Sequence, residues 1–176
     1  MDELGRKTPA VFKASEKFPL VIVLDNIRSM MNTGSVFRTA DAFILERIIL
    51  CGVTATPPHR EIHKTALGAT ESVHWSYEEH TSVAIQKLQE QGYVVIALEQ
   101  TTKSVNLKTF RPERGIKYAL VFGNEVKGVG EEALTLCDLS LEVPQFGTKH
   151  SLNVAVTAGM VIWDFYTKLV DQENGQ

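Results

Sequence analysis

Three short stretches gather residue types able to do chemistry without a metal. The first is "NTGSVFR", which sets the carboxamide of Asn32 and the guanidinium of Arg38 six residues apart. An arginine held there can grip phosphate or polarise a hydroxyl; it also reads as a surface arginine on a helix capped by Asn32. The second is "FGNEVKGVG", Phe122 to Gly130. Gly123 lets a ligand approach the backbone at a strand end, and Glu125 can hold a cation, a ribose hydroxyl or an arginine, or simply stand solvated in a turn. The third is "VPQFGTKHSLN", Val143 to Asn153. Ser151 reads as a helix cap with free backbone N–H groups behind it. Capping by Ser151 does not explain Asn153, a weak helix former in the first turn of an otherwise apolar helix.

Other patterns are excluded. G-x-G-x-x-G and G-K-[ST] are absent, which disfavours a dinucleotide or phosphate-loop enzyme. "HREIH" puts His59 and His63 at i, i+4 but lacks the order of a zinc motif. No histidine has companions at metal-ligand spacing, so no metal is expected. The two cysteines, Cys51 and Cys137, sit beside apolar residues and read as buried reduced thiols of a cytoplasmic protein. The N-terminus is charged and resembles no secretory signal, and no apolar run is long enough to span a membrane. A net charge of −3 means that any nucleic acid must be met by a local basic patch.

The elements that position these stretches are legible in outline. A length of 176 residues suits a single domain, with a core from about 20 to 170 and short flexible ends. "PLVIVL", "RIILCGV", "YVVIAL", "YALVFG" and "LSLEVP" are short apolar runs rich in β-branched residues, which is how strands buried on both faces read. "VHWSY" is a further short strand. Helices are expected from Asn32 to about Ala42, Ser82 to Gln91, after the glycines of "NEVKGVGEEALTLC", and from Ser151 to about Val170. The segment from Thr54 to Ser72 reads as loop with one helical turn. Strands alternating with helices give an α/β domain with a mainly parallel sheet covered on both sides. In such sheets ligands bind beyond the carboxyl ends of the strands, where all three stretches fall.

Taken in order, the three stretches resemble the three motifs of the SpoU/TrmH family of RNA ribose 2′-O-methyltransferases. "NTGSVFRTADAF" resembles the first motif, "LVFGNEVKGV" the second and "VPQFGTKHSLNVAVTAGM" the third, and the resemblance runs from about Leu20 to Tyr166. It implies the SPOUT fold with a deep trefoil knot in its C-terminal part, S-adenosyl-L-methionine as cofactor, and a homodimer whose active site lies near the subunit interface. Carried over residue by residue, it implies that Arg38 activates the ribose hydroxyl and Asn32 orients it. Glu125, Ser151 and Asn153 would complete the catalytic set. Leu98, Gly123, Val143, Ser151 and Leu152 would contact the cofactor. Val154, Ala155, Val156 and Ile162 would form the dimer seam.

Some family members add an N-terminal RNA-binding domain; without one here, RNA would meet Arg28, His59, Arg60, Lys64, Lys127, Lys149 and His150, mainly through phosphates. An arginine is a poor base at neutral pH. Arg38 therefore acts either as a base assisted by Glu125 or phosphate, or as an electrostatic clamp. The favoured substrate is tRNA, and "GYVVIALEQTTKSVNL" resembles members that methylate a D-loop guanosine. The alternatives are a ribosomal RNA enzyme, a tRNA wobble-nucleotide enzyme and a nucleotide-binding module without catalysis.

Overall fold

Alternation along the strands decides the architecture. In the computed structural model, which describes residues 8–148 and 151–174, seven strands form one sheet. They are β1 (Phe18–Asp25), β2 (Leu45–Cys51), β3 (Trp75–Glu78), β4 (Tyr93–Leu98), β5 (Val105–Asn106), β6 (Lys117–Phe122) and β7 (Leu139–Glu142). Their order is β3-β2-β1-β6-β4-β7-β5 and every neighbouring pair is parallel. Successive side chains point to opposite faces. Leu20, Ile22, Leu24, Ile48, Leu50, Ile96, Leu120 and Phe122 therefore build one core, and Val21, Val23, Ile49, Val95, Ala97, Ala119 and Val121 the other.

Helices cover both faces. On the first lie α2 (Met30–Ala42) through Val36, Phe37 and Ala40, α3 (Arg60–Ala66) through Ile62, and α7 (Val154–Asn174) through Ala158, Val161, Ile162 and Phe165. On the second lie α5 (Thr81–Glu90) through Ala84, Ile85 and Leu88, and α6 (Glu131–Leu136) through Ala133. Two short helices, α1 (Pro9–Ala14) and α4 (Ala69–Ser72), complete the chain.

Several boundaries differ from the sequence reading. The segment after Thr54 holds two helices, α3 and α4, because Ile62, Ala66 and Ala69 find a core in α2 that a local reading cannot see. From Thr8 onward the N-terminal segment is held in place: Thr8 caps α1 and Phe12 is buried. The last helix continues to Asn174, beyond the expected end. β5, two residues long, had no sequence signal; it exists because β7 offers a free edge. That edge has a topological consequence. β7 inserts between β4 and β5, both of which precede it, so the connection at 99–104 spans the carboxyl end of β7. A C-terminal segment threaded through a loop, as in the expected knot, requires such a crossing.

Candidate active site

The carboxyl end of the sheet is built from buried polar contacts before any ligand is considered. Asp25, the last residue of β1, is buried and accepts from Thr81 Oγ1 (2.5 Å), Asn26 Nδ2 (2.8 Å) and the Gly130 N–H (2.8 Å). It thereby ties β1 to the starts of α5 and α6. Buried Thr54 donates to the Leu24 carbonyl (3.0 Å) and accepts from the Ile27 N–H (2.9 Å). Asn124 Nδ2 donates to the Asn26 carbonyl (2.8 Å), fixing the loop after β6 to the loop after β1. Satisfied buried networks of this kind hold one geometry, because every broken bond leaves a costly unpaired group.

This frame presents Glu125 to the start of α2. Its carboxylate accepts from the N–H groups of Arg28 (3.2 Å) and Ser29 (3.1 Å) and from Asn32 Nδ2 (3.3 Å). Asn32 Oδ1 in turn accepts from Asn153 Nδ2 (3.1 Å), and Asn153 Oδ1 accepts from the N–H groups of Ala155 (2.9 Å) and Val156 (3.3 Å). A carboxylate only accepts, so Asn32 must turn its amide nitrogen to Glu125 and its oxygen to Asn153. The chain has one direction, from the α7 backbone to the Glu125 charge. Burial alone would raise the Glu125 pKa, but the backbone N–H groups of Glu125 itself, Ser29 and Arg28, with Asn32, outweigh it and hold the value below the usual 4.5. A carboxylate so stabilised is a poor proton acceptor.

Two capping expectations are corrected here. Ser29, not Asn32, caps α2: its side chain accepts from the Asn32 N–H (3.2 Å). Asn153, not Ser151, caps α7, which starts at Val154. The polar residue that capping by Ser151 left unexplained is itself the cap. Ser151 is released to line a cavity.

That cavity, about 380 Å³, opens between the loops after β4, β6 and β7. Leu98, Gly123, Glu125, Val143, Ser151 and Leu152 all line it. So do Glu99, Glu142 and Lys127, so that among the described residues its wall holds three carboxylates and one lysine. Glu99 accepts from the Val129 N–H (2.9 Å) and Glu142 from Ser104 Oγ (2.9 Å), so both are fixed. Gly123 has a role other than ligand approach: a Cβ there would run into the backbone of Gly128 and Val129. The loop after β6 folds back on its own strand, closed by paired backbone bonds between Asn124 and Gly128 (2.9 Å each).

The structure does not bring Arg38 to this cavity. Arg38 is exposed on α2 and lines a separate hollow with Phe12, Asp41 and Leu67. It has no hydrogen bond or ion pair among the described residues. Asn32 and Asn153 stand beside the cavity, behind Glu125. Of the basic candidates, Lys127 lies on the cavity wall, and Arg28 is exposed next to Glu125. Arg60 and His59 line a hollow with Trp75 of β3, at the opposite edge of the sheet from β7. His59 caps α3 through Nδ1, and Lys64 pairs with Glu61 at 2.7 Å. Lys149 and His150 lie outside the described residues. Among those described, no cluster of His, Cys, Asp or Glu could hold a metal, and no helix is long and apolar enough to cross a membrane. The sequence reading missed Ser29, Glu99 and Asn124; "SMMN" and "GNE" carry the capping and turn chemistry that could have marked two of them.

A parallel sheet with a carboxylate-lined cavity at the carboxyl ends of its strands defines the class as α/β, and comparison with known proteins narrows it. The profile of the SpoU rRNA Methylase family matches residues 19–163, and the chain belongs to this family. It is 31% identical over 144 residues to the 23S rRNA (guanosine-2′-O-)-methyltransferase RlmB of Neisseria meningitidis, covering 82% of this chain and 56% of that protein. An AdoMet-bound rRNA methyltransferase from Sinorhizobium meliloti superposes with a TM-score of 0.80 at 27% identity, over 88% of this chain and 58% of that one. A structure described as giving insight into 2-OH methylation of C/U34 on tRNA superposes with a TM-score of 0.77 at 25% identity, over 88% of this chain and 99% of that one. The chain spans 56% and 64% of the length of the first two curated relatives it matches. The α/β fold of the SpoU/TrmH methyltransferases, expected from the sequence, is therefore the fold of this chain.

Proposed function

We propose that this protein transfers a methyl group from S-adenosyl-L-methionine to a ribose 2′-hydroxyl of RNA, and that the RNA is tRNA. The observation that carries the reading is the Glu125–Asn32–Asn153 chain, which joins the starts of α2 and α7 at the edge of the cavity. The cavity suits the cofactor. Its volume falls among small-molecule sites, Leu98, Val143 and Leu152 offer apolar surface, and an excess of carboxylates favours a cation over a phosphate ligand. When bound, the cofactor supplies an electrophilic methyl on a sulfonium. The chain's own groups then need only align the ribose hydroxyl and stabilise charge developing on its oxygen. Alignment alone contributes roughly 7–11 kcal/mol in favourable model reactions.

Glu125 already accepts from the N–H groups of Arg28 and Ser29, from Asn32 and from its own N–H, and is not the base. The charge stabiliser is an arginine, and Arg38 lies about 9 Å along α2 from Asn32 by helix rise. Each cavity is therefore completed by the partner subunit's Arg38 in a homodimer. Support comes from α7, whose outward face carries Val156, Met160 and Trp163, 55%, 43% and 56% exposed. The expected seam needs revision, because Val154 and Ile162 are buried in the protomer's own core. Mixing Arg38→Ala with Glu125→Gln subunits tests the shared site. Activity restored in the mixture is expected; two inactive variants that stay inactive together would contradict it.

Support for tRNA comes from the likeness to the structure concerned with 2-OH methylation of C/U34 on tRNA and from the stretch "GYVVIALEQTTKSVNL", which resembles members that methylate a D-loop guanosine. The rRNA alternative keeps the higher identity. Mapping 2′-O-methyl marks in cells lacking the protein separates them. Loss of a tRNA mark, at a D-loop guanosine or at the wobble nucleotide, is expected; loss of a ribosomal mark alone would overturn the tRNA assignment.

A further inference from the structure

Among the described residues, the two most exposed large apolar side chains are Phe146 (95%) and Val126 (87%). They belong to different loops, after β7 and after β6, yet both loops border one cavity. Val126 lines it, and Phe146 follows Gln145, which also lines it. Exposed apolar residues scattered singly need no explanation, but two on the rim of one site do.

The backbone that carries Val126 is fixed. Val126 rides on the closed Asn124–Gly128 turn, where Asn124 Oδ1 accepts from the N–H groups of Val126 (2.9 Å) and Lys127 (3.1 Å). The side chain is held outward by a turn that cannot relax without breaking these bonds. Phe146 makes no ring contact with another aromatic among the described residues, although five other aromatic side chains gather around Phe43 and Phe110. A ring so exposed, in a loop bordering a cavity whose wall carries the exposed Lys127, is the surface a nucleobase stacks on. Every base has a π-face, and the neighbouring cation meets the phosphate.

We propose that Phe146 is a stacking platform for an RNA nucleobase at the mouth of the cavity. It is a positioning device: the base rests on the ring while its ribose faces the cavity. The inference rests on the RNA reading above, and its test is arranged so that the two can fail separately. Base–aromatic stacking predicts roughly tenfold weaker binding when the ring is removed.

The probe is a short single-stranded RNA carrying 2-aminopurine, titrated into the full chain with fluorescence and anisotropy both recorded. Wild type should quench the probe. Phe146→Ala should bind it about tenfold more weakly with the quench reduced, and Phe146→Trp should restore both. Phe146→Leu separates stacking from simple apolar cover and should behave like the alanine variant. Four results would overturn the proposal: an unchanged Phe146→Ala, a leucine variant equal to wild type, a fall in oligomeric mass that makes the ring a subunit contact, or weakened binding of S-adenosyl-L-homocysteine that makes it a cofactor cover. Absence of quenching by wild type would overturn it too. Methyl transfer measured on the same samples separates the two readings. Phe146-dependent quenching without transfer leaves the platform standing and removes the methylation reading; transfer with Phe146-independent binding does the reverse.

Discussion

Asn153 does two jobs with one amide, and they can be separated by substitution. Its oxygen caps α7 and its nitrogen holds Asn32. Asn153→Ala loses both and should cost about 1 kcal/mol of cap stability, roughly 2–4 °C in thermal midpoint for a domain of this size. Asn153→Asp keeps a capping oxygen but loses the donor to Asn32. It should melt near wild type and still lose activity; full activity would show that the Asn32 contact is idle. Glu125 adds a pH prediction. Its pKa is lowered by folding, so its contribution to stability is complete above the ordinary carboxylate value of 4.5 and is lost as pH falls through the lower folded value. Glu125→Gln should therefore lower stability at neutral pH and flatten the acid limb, with variant and wild type converging once Glu125 is protonated. An unchanged acid limb in calorimetry would contradict the assignment. The polar residues themselves were legible in the sequence. Their pairing was not, because Ser151 and Asn153 offer competing caps and only the first backbone N–H groups of α7 decide between them.

At the scale of elements, α7 shows what hydrophobic pattern can and cannot give. The charge-free run from Ser151 to Trp163 indicated a helix covered on more than one side. It could not say which side, since Val, Ile, Met and Trp are apolar on both faces. The packed structure turns Val154, Ala158, Val161, Ile162 and Phe165 inward and Val156, Met160 and Trp163 outward. Met160→Glu should lower the oligomeric mass in sedimentation without unfolding the protomer, and Ile162→Asp should unfold it by leaving an unpaired buried charge. A Met160→Glu dimer would refute the seam. The loop after β6 gives a second element-level prediction. Gly123→Ala forces backbone against backbone at Gly128 and Val129, so cofactor binding should fall, read by calorimetry, while the sheet's circular dichroism persists.

Across the whole molecule, the strand runs and their parallel pairing followed from continuous apolar stretches, but the order β3-β2-β1-β6-β4-β7-β5 did not. Order depends on which loops cross the sheet, and that is decided by long-range contacts such as Asn124 to Asn26 and Gly130 to Asp25. The same non-local logic governs the site. Three loops from distant parts of the chain make the cavity, while Arg38, close to Asn32 in sequence, faces another hollow. A protomer thus holds a cavity and an arginine that do not meet, the separation that the proposed homodimer is invoked to close. The account is tested most directly by methyl transfer from labelled S-adenosyl-L-methionine to bulk tRNA and to ribosomal RNA, followed by digestion to nucleosides. The prediction is label in 2′-O-methyl nucleosides of tRNA, falling by about a hundredfold or more in Arg38→Ala. Label in neither RNA, or label on bases with the riboses unmarked, would contradict it.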